Sequence, residues 1–323
     1  MIRRLGLCRS QSTDPHRNLA LEERLLESVG EDQCILYLWQ NENTVVIGRN
    51  QNPWAECHTT LLEQEGGTLA RRLSGGGAVF HDLGNLNFTF LLPQAEYDLD
   101  RQLTVIQEAV AALGVPTERS GRNDVLAAGR KFSGNAFYKN GRQAYHHGTL
   151  LVEADMTKMS RYLRPSKAKL QAKGVDSVRS RVVNLKELNP EITIPALEAA
   201  LQAAFSRVYG LPVERISPES LNLEDLTSRY ESWEWNYGRK LPFTFACEDR
   251  FPWGSLRLEI QVESGIIVHT SAFSDAMDWQ FPETVCQSLT GSPFRLSDIT
   301  ERLENSGIPQ AWDIMDLLTR QEL

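Results

Sequence analysis

The sequence predicts an α/β (α+β) fold in which a mixed, largely antiparallel sheet is flanked by helices. First, segments whose apolar residues have helical spacing alternate along the chain with short apolar runs typical of strands. Second, short runs separated by tight turns between residues 124 and 152 favour an antiparallel meander. Third, a length of 323 residues suggests about two domains. We therefore expect a larger domain over about residues 1–243 and a small α+β domain over residues 244–323.

Turn and cap residues set the boundaries of the predicted elements. In the first helix, Leu21, Leu25 and Val29 lie one helical turn apart, and Gly30 is suited to the position after its end. Asn140 and Gly141 give the strongest hairpin signal, because this pair favours the tight turn between antiparallel strands. Helices are predicted over residues 18–29, 54–64, 101–113, 195–209, 223–230, 282–289, 296–305 and 310–319, and strands over residues 34–40, 44–49, 78–80, 86–92, 124–127, 131–138, 143–152, 255–263 and 266–273.

Composition limits the class of protein. Hydrophobic residues make up 41% and charged residues 24% of the chain, as in an ordinary globular protein. A net charge of -8 argues against broad nucleic-acid binding. No apolar run approaches the length of a membrane helix, and the N-terminus lacks the apolar segment of a secretory signal. The five cysteines contain no CxxC pair, so a zinc site or disulfide framework is not indicated and a reducing cytoplasm is expected.

Residues 71–90, with the sequence RRLSGGGAVFHDLGNLNFTF, contain the most specific pattern in the chain. Three consecutive glycines, at 75–77, allow the backbone to approach an anionic oxygen closely, because no Cβ atom blocks the N–H groups. Arg71 and Arg72 precede them and can grip a phosphate or carboxylate. The glycines by themselves are equally compatible with a flexible surface hairpin, since glycine-rich loops are weak motifs.

The predicted strand over residues 131–138 has one polar face and one apolar face. Side chains alternate between the two faces of a strand, so every second residue faces the same way. We expect the polar face to line a site, and this face carries Lys131, Ser133 and Asn135. We expect the other face to join the core, and this face carries Phe132, Ala136 and Tyr138.

The complete glycine-rich string resembles the signature loop of the lipoate–protein ligase A family. Two further stretches are similar to the family, VVIGRNQNPWAE at 45–56, and GRNDVLAAGRKFSGNAFY with AYHHGTLLV between 121 and 152. The resemblance extends from about residue 15 to the C-terminus and is weakest beyond residue 240. It implies the sheet and flanking helices of the biotin and lipoate ligase superfamily, together with the C-terminal accessory domain of the bacterial type.

The resemblance implies an ATP-dependent ligase. Such an enzyme activates lipoate to lipoyl-AMP with ATP and Mg²⁺, and then transfers the lipoyl group to a lysine of an acceptor protein. The expected acceptors are the E2 lipoyl domains of 2-oxoacid dehydrogenases and the glycine-cleavage H protein, and no nucleic-acid or membrane partner is expected. Acyl-adenylate formation depends mainly on positioned cations and N–H donors, because the protein has little covalent chemistry to perform.

Lys131 is the predicted catalytic residue, since its position matches the lysine of the family and its ammonium can face both the carboxylate and the α-phosphate. Asp124 is predicted to orient Lys131 or to hold Mg²⁺. The residues expected from the resemblance to bind ATP or the adenylate are Arg72, Gly77, Ala78, Val79, Phe80, Asn85, Asp124, Lys131, Lys173 and Arg181. Those expected to bind lipoate are Arg71, Ser74, Gly75, Gly76, His81, Ser133, His147, Gly148 and Thr149.

Two other features leave alternatives open. His146 and His147 are adjacent on one predicted strand and therefore point to opposite faces, which argues against a shared metal site. For each of them, a structural role and a role in the pocket both stay open. Residues 158–186 carry nine basic residues and a single acid, Asp176. This stretch is either a solvated helix face, a surface that docks the acceptor, or, as the family resemblance of residues 172–182 implies, a loop that covers the adenylate.

Three other functions compete with ligation. An octanoyl- or lipoyl-transferase of the same superfamily works through an acyl-cysteine, but no cysteine occurs between Cys57 and Cys247. A biotin ligase would carry a GRGRxGRxW-type loop, which is absent. A non-catalytic lipoate carrier or regulator would have no need of Lys131 and Arg72. The small second domain carries no obvious chemical group, and we expect it either to cover the pocket during activation or to stabilise the first domain.

Overall fold

The structure is a computed structural model that describes residues 1–120, 124–164, 182–238, 243–274, 276, 278 and 280–320. The strands are β1 (Arg4–Arg9), β2 (Gln33–Trp39), β3 (Thr44–Ile47), β4 (Thr68–Arg71), β5 (Val79–His81), β6 (Asn85–Pro93), β7 (Thr117–Ser120), β8 (Asp124–Ala127), β9 (Arg130–Lys139), β10 (Gln143–Leu151), β11 (Val213–Ile216), β12 (Phe243–Phe251), β13 (Gly254–Glu263) and β14 (Ile266–Ser274). The helices are α1 (Pro15–Ser28), α2 (Pro53–Glu56), α3 (Thr59–Gln64), α4 (Leu99–Ala112), α5 (Met156–Tyr162), α6 (Leu185–Leu188), α7 (Ile194–Tyr209), α8 (Glu224–Glu231), α9 (Trp233–Asn236), α10 (Phe281–Leu289), α11 (Leu296–Glu304) and α12 (Ala311–Arg320).

The mixed fold with a large sheet, flanking helices and a small α+β part is the one predicted from the sequence. The predicted helix over residues 54–64 was wrong in one respect, because it consists of two short helices, α2 and α3. Pro53 opens α2, and the Asn52 side chain accepts a hydrogen bond from the Trp54 N–H at 3.0 Å. The short strands β7 and β11 were not predicted, since their sequences, TERS and VERI, carry no clear alternation.

The chain forms two compact units. The first contains Met1–Gln51 and Gly67–Glu231, and the second contains Asn52–Gly66 and Ser232–Leu323. Trp233 and Tyr237 therefore lie in the second unit. The domain boundary that we expect after residue 243 stays a prediction.

The first unit is built on an eight-stranded sheet in the order β11-β1-β2-β6-β10-β9-β8-β7. The pairs β11–β1 and β1–β2 are parallel, and the pairs from β2 to β7 are antiparallel. One face of this sheet packs on α4 and α7 and forms the core, which includes Leu36, Phe88, Phe90 and Phe132. Both helices have capped ends, with Asp98 accepting from the Arg101 N–H and Gly210 ending α7 at a φ of +68°.

The opposite face of the sheet contacts α1. Tyr37, Thr89 and His147 point to this face, because their neighbours in the strands belong to the core. Tyr37 donates to α1 through Asn18, and the other two contact Glu22 of the same helix. A second sheet of the first unit, in the order β4-β3-β5, carries the glycine-rich loop between β4 and β5. This arrangement brings the loop and the strand meander into one unit.

The second unit consists of a three-stranded antiparallel sheet, β12-β13-β14, with α10, α11 and α12. The Ser264–Gly265 turn joins β13 to β14, and both residues have positive φ angles. Trp54 joins this unit through an aromatic cluster, with ring centroids 5.3 Å from Tyr237 and 5.2 Å from Phe294. Segment Asn52–Gly66 is therefore part of the second unit, although it is distant in sequence. In the part of the chain that the structure describes, no helix is both long and apolar enough to span a membrane.

Candidate functional site

A cavity of about 280 Å³ lies in the first unit. It is lined by the glycine-rich loop, by the face of the large sheet that contacts α1, and by the start of β9. The lining residues are Leu19, Trp39, Val46, Arg72, Gly76, Gly77, Ala78, Val79, His81, Asn87, Asp124, Lys131, Gly134, Asn135, Ala136, His147, Gly148 and Thr149.

Arg72 organises the glycine-rich loop from within. Its side chain is buried, and its Nη2 donates to the carbonyl oxygens of Gly75 and Gly77, each at 2.8 Å. Because a peptide carbonyl and the following N–H point in opposite directions, these bonds turn the N–H groups of Gly76 and Ala78 away from the guanidinium. Burial lowers the pKa of Arg72 to about 10, so the side chain is still charged at neutral pH. Arg72 thus adds a positive field to a loop whose N–H groups suit an anion.

The glycine-rich loop can approach the end of β3 closely because Gly48, which lies outside the loop, has no side chain. A Cβ atom at Gly48 would lie 2.2 Å from the Gly76 carbonyl oxygen, so a side chain at this position would displace the loop. Gly76 itself has a φ of +92°, which side chains rarely tolerate. Arg71, in contrast, is buried below the loop and donates to the carbonyls of Gly48, Arg49 and Gln51. It therefore holds the end of β3 and does not line the cavity.

A buried hydrogen-bond chain links the loop to α1. Arg72 Nε donates to Ser74 Oγ at 3.0 Å, and Ser74 Oγ lies 2.8 Å from His147 Nε2. His147 Nδ1 lies 2.9 Å from Glu22 Oε1, which also accepts from Thr89 Oγ1 at 2.6 Å. A carboxylate can only accept, so His147 carries a proton on Nδ1, and in its neutral form the ring accepts from Ser74 through Nε2. Glu22 therefore fixes the direction of every hydrogen bond in the chain.

His81 and Asn87 supply unpaired donors at the cavity. Both side chains are at most 3% exposed, and both line the cavity. His81 Nε2 and Asn87 Nδ2 have no hydrogen-bond partner among the residues that the structure describes. Asn87 Oδ1 accepts from Asn85 Nδ2 at 2.9 Å, so the Asn87 amide nitrogen is the atom left for a ligand. Buried polar atoms are normally paired, and these two point to a ligand that carries acceptor oxygens.

Lys131 and Asp124 form an ion pair at the cavity, with 2.7 Å between Nζ and Oδ1. Their side chains are 36% and 41% exposed, in contrast to the buried Arg72. The Lys131 carbonyl accepts from the Val183 N–H at 2.9 Å, which holds the start of β9 in place. The pair therefore combines a fixed backbone with an accessible ammonium.

The predicted alternation along β9 was wrong at Ser133 and Ala136, whereas Phe132 lies in the core as expected. The pairing of β8 with β9 shifts between Val125 and Leu126, so that Val125 lies opposite Ser133 and Leu126 opposite Lys131. This β-bulge places two consecutive residues, Phe132 and Ser133, on the core side, where both are fully buried. Ser133 does not line the cavity, and Ala136, predicted to be in the core, does.

The two adjacent histidines point to opposite faces, as predicted. His147 faces the cavity, and His146 packs in the core against Phe88 and Phe90. The backbone at Gly148 also approaches the core closely, because a Cβ there would lie 2.7 Å from Asn135 Oδ1 and 2.8 Å from Phe88 Cζ. Gly148 thus lines the cavity, but its missing side chain makes room for core packing.

The structure gathers most of the predicted site residues around one cavity. Those that line it are Arg72, Gly76, Gly77, Ala78, Val79, His81, Asp124, Lys131, His147, Gly148 and Thr149. Those that lie outside the lining are Arg71, Ser74, Gly75, Phe80, Asn85 and Ser133. Phe80, for example, packs on Tyr162 with 5.5 Å between ring centroids. Lys173, Arg179 and Arg181, with most of the basic stretch, lie outside the described residues. The binding roles of all these residues stay predictions.

Sequence reasoning missed several residues of this site. Glu22 was assigned only to a helix, yet it is 2% exposed and ends the chain of hydrogen bonds from the loop. Trp39 and Asn87 were also missed; they lie opposite each other on β2 and β6, beside the predicted Thr149 on β10. A charged residue among the apolar positions of α1 was the one available signal for Glu22. The pairing of Trp39 with Asn87 depends on strand register, which no local pattern in the sequence specifies.

The site and fold together define a protein whose cavity is suited to an anionic ligand and has an accessible lysine at its edge. Comparison with known families identifies the group to which it belongs. The lipoyl protein ligase A/B catalytic domain matches residues 14–206, and the bacterial lipoate protein ligase C-terminus matches residues 240–319. The first match covers more than half of the chain, so this protein belongs to the lipoyl protein ligase A/B family.

Solved structures of similar proteins agree with this assignment. LipL1 of P. falciparum, in complex with lipoate, is 28% identical, with 97% of each chain covered and a TM-score of 0.63. The bipartite lipoate protein ligase of Thermoplasma acidophilum, studied with its E2 lipoyl domain, is 28% identical and has a TM-score of 0.65. That similarity covers 74% of this chain and 97% of the archaeal one. A lipoate-protein ligase A bound with ATP is 27% identical over 74% of this chain and 99% of its own, with a TM-score of 0.63.

Proposed function

We propose that this protein is a lipoate–protein ligase that forms lipoyl-AMP from lipoate and ATP and then lipoylates a lysine of an acceptor protein. The observation that carries the proposal is that the Lys131–Asp124 pair shares one cavity with the glycine-rich loop and the unpaired donors His81 and Asn87. The Lys131 ammonium, the N–H groups of the loop and the two unpaired nitrogens favour ligand oxygens that carry negative charge. Similarity to proteins bound to lipoate and to ATP supports the same assignment.

In the first half-reaction, a lipoate carboxylate oxygen attacks the α-phosphorus of ATP, and pyrophosphate leaves. Negative charge develops between the carboxylate and the α-phosphate. The Lys131 ammonium is suited to stabilise this charge, and Asp124 at 2.7 Å holds the ammonium in position. The loop N–H groups and the charged Arg72 favour phosphate in the same region. In the second half-reaction, the acceptor lysine amine attacks the acyl carbonyl, an amide forms and AMP leaves.

The donor set is compatible with magnesium brought in by ATP. Mg²⁺ is commonly held by one or two carboxylates together with substrate phosphates. Asp124 lines the cavity with a partly exposed carboxylate, so it fits the role of such a ligand. When bound, the metal would neutralise charge on the polyphosphate, and the chain's own contribution is to position that carboxylate.

An acyl-cysteine mechanism has little support. Among the residues that the structure describes, no cysteine lines the cavity. Burial raises the pKa of Cys8, Cys34 and Cys247 to about 12, whereas a nucleophilic cysteine needs an accessible thiolate. The five cysteines are free, which supports our proposal that the protein works in a reducing cytoplasm. We propose E2 lipoyl domains and the glycine-cleavage H protein as acceptors, from the family resemblance.

Lipoate-dependent exchange of labelled pyrophosphate into ATP tests the proposal. We expect exchange with lipoate, none without it, and subsequent transfer to an E2 lipoyl domain when this is added. Transfer from supplied lipoyl-AMP without any exchange would instead identify a transferase. Tight lipoate binding with neither reaction would identify a carrier, and either result would overturn the proposed ligase activity.

A further inference from the structure

We propose that Asn41 is a positioning residue that fixes His81 as the neutral Nε2–H tautomer, so that this N–H donates a hydrogen bond to an oxygen of the acyl-adenylate. The inference deepens the proposed function, and the adenylate rests on that function. It assigns His81 a defined chemical form, that of a neutral donor. It also assigns a role to Asn41, which is fully buried and does not line the cavity.

Hydrogen bonds connect Asn18 of α1 to Asn41 and Asn41 to His81, and we call these three side chains the relay. The orientation of Asn18 determines the orientation of the other two. Asn18 Nδ2 donates to two backbone carbonyls, those of Ser12 at 3.0 Å and Gln40 at 2.8 Å. A backbone carbonyl can only accept, so the nitrogen of this amide cannot exchange places with its oxygen. The oxygen accepts from Ser10 Oγ at 2.6 Å and from Tyr37 Oη at 3.3 Å. The Asn18 side chain is therefore fixed by groups outside the relay.

The fixed Asn18 side chain determines which way the Asn41 amide points, and the Asn41 amide in turn contacts His81. Asn41 Oδ1 lies 2.9 Å from Asn18 Nδ2 and shares one of its two N–H groups with a backbone carbonyl; an amide nitrogen in its place would set donor against donor. Asn41 Nδ2 is consequently the atom 3.3 Å from His81 Nδ1. An amide NH₂ group can only donate, so His81 Nδ1 is the unprotonated nitrogen, and the proton of the neutral ring is on Nε2.

The surroundings of His81 keep the ring neutral. Burial lowers the pKa of His81 to about 3, and the charged Arg72 acts in the same direction. Trp39 also packs on the ring, edge to face, and adds no charge. The ring therefore does not gain a second proton near neutral pH, and the Asn41 contact alone decides which nitrogen holds the proton.

The resulting N–H lacks a partner where a ligand would supply one. His81 lines the cavity, and Nε2 is buried without a partner among the residues that the structure describes. A buried unpaired donor is costly, and a ligand oxygen would relieve the cost. His147 has the opposite tautomer, because the Glu22 carboxylate accepts from its Nδ1. The two histidines that line the cavity thus have opposite tautomers, and of these two only His81 directs an N–H to the ligand.

Nitrogen NMR of the full chain tests the tautomer directly. The chain has six histidines, so the His81 signals can be assigned by comparison with His81→Gln. We expect Nε2 protonated and Nδ1 unprotonated from about pH 5 to about pH 9, with no titration in that range. Adding lipoate and ATP should shift the Nε2–H signal. A proton on Nδ1, or a titration near the ordinary histidine pKa, would overturn the inference whatever the protein catalyses.

Two substitutions of Asn41 connect the tautomer with the reaction. Asn41→Asp keeps an acceptor for Asn18 but places a carboxylate against His81 Nδ1, which moves the proton to Nδ1 and raises the histidine pKa. The Nε2 lone pair would then face the ligand oxygen, and we expect kcat/KM for adenylate formation to fall by about 10²-fold. Asn41→Ala removes the contact without adding charge. Both tautomers then become possible, and we expect a loss of about threefold to tenfold.

The pH profile separates this role from a purely structural one. Lowering the pH protonates both nitrogens of His81 in Asn41→Asp and restores the N–H at Nε2. The ratio of variant to wild-type kcat/KM should therefore rise as the pH falls from about 8 to about 6, whereas for Asn41→Ala it should stay flat. A flat ratio for Asn41→Asp in a folded protein would overturn the inference. If the wild type catalysed no exchange at all, the proposed function would fail, and NMR would still decide the tautomer.

Discussion

At the scale of single residues, the cavity uses charge in two different ways. Arg72 is buried and shapes the loop through the carbonyls of Gly75 and Gly77, at the end of a hydrogen-bond chain fixed by Glu22. Lys131 is accessible, with 36% of its side chain exposed beside Asp124. A buried charge with several partners is suited to structure, and an accessible one is suited to contact with a substrate.

Lys131→Ala removes the accessible cation, and we expect exchange activity to fall by at least about 10²–10³-fold. The fold should survive, because the side chain faces the cavity and makes no core contact. Lys139→Ala is the matched control, since Lys139 lies on the same strand, outside the cavity lining, over the ring of Tyr97. It should exchange at close to the wild-type rate. A folded Lys131→Ala protein with normal exchange would remove this lysine from the mechanism.

His146 predicts how stability depends on pH. Its ring contacts the amides of Gln102 and Asn135 in the core, and burial lowers its pKa to about 3. The unfolded chain, with a histidine pKa of about 6.5, takes up the proton first as the pH falls. Stability from this residue is therefore complete above about pH 6.5 and declines towards pH 3, by up to about 1.4 kcal/mol per pH unit.

Replacing His146 with glutamine tests this dependence. An amide keeps hydrogen-bonding capacity but does not titrate, so the free energy of unfolding should fall less steeply from about pH 6 to about pH 4. His269→Gln, at an exposed position on β14, is the control and should leave the slope unchanged. Denaturant titrations at several pH values measure both slopes. Equal slopes in the wild type and His146→Gln would show that the histidine is not buried as a neutral group.

At the scale of elements, the glycine-rich loop is controlled by backbone geometry. Gly76 has a φ of +92° and lies at the cavity, whereas Gly75 precedes it without a positive φ and outside the cavity lining. A Cβ at Gly75 would meet nothing within 4 Å, but one at Gly76 would lie 3.0 Å from Arg72 Nη2. The two neighbouring glycines therefore form a matched pair.

Gly76→Ala should weaken ATP and lipoate binding by about tenfold, since the strained residue and its contact with Arg72 displace the loop N–H groups, at a cost of roughly 1 kcal/mol or more. Gly75→Ala should bind both ligands as the wild type does. Isothermal titration calorimetry measures the two affinities, and thermal melts show that both proteins are folded. If both substitutions gave wild-type affinities, the loop would be a turn without a role in binding.

At the scale of the whole molecule, the second unit depends on a segment from early in the sequence. Trp54 is 9% exposed, and its ring contacts Tyr237 and Phe294. A chain truncated after residue 243 would keep Trp54, Trp233 and Tyr237 but lose Phe294 and the sheet of this unit. We expect the truncated protein to aggregate readily and to have a lower thermal midpoint.

The substitution Trp54→Gln tests this explanation, because we expect it to harm the complete chain and to improve the truncated one. Trp54→Gln should destabilise the complete chain, because it removes an aromatic contact from a packed cluster. In the truncated chain the same change should increase solubility, because it removes an exposed apolar group. If the truncated protein is soluble and folded, its exchange activity tests the idea that the second domain assists activation. Full exchange would discard that idea, and loss of exchange with retained transfer from lipoyl-AMP would support it.

The sequence by itself determined the class of fold, most of the elements, and the stretches that carry the candidate chemistry. Those conclusions depend on local properties, namely apolar spacing, the hairpin signal of Asn140–Gly141, and the rarity of three consecutive glycines beside two arginines. The family resemblance suggested that Asp124 orients Lys131 or holds Mg²⁺. Their 2.7 Å contact is compatible with the first of these two roles.

Only the tertiary structure decided which side chains share the cavity. The bulge between β8 and β9 moved Ser133 into the core and Ala136 to the cavity, and the local sequence does not specify it. Glu22 and Asn41 act through contacts with residues far away in sequence, which depend on strand register and helix packing. Pairing between distant segments is a property of the packed chain as a whole, because each contact exists only when every intervening element is in place.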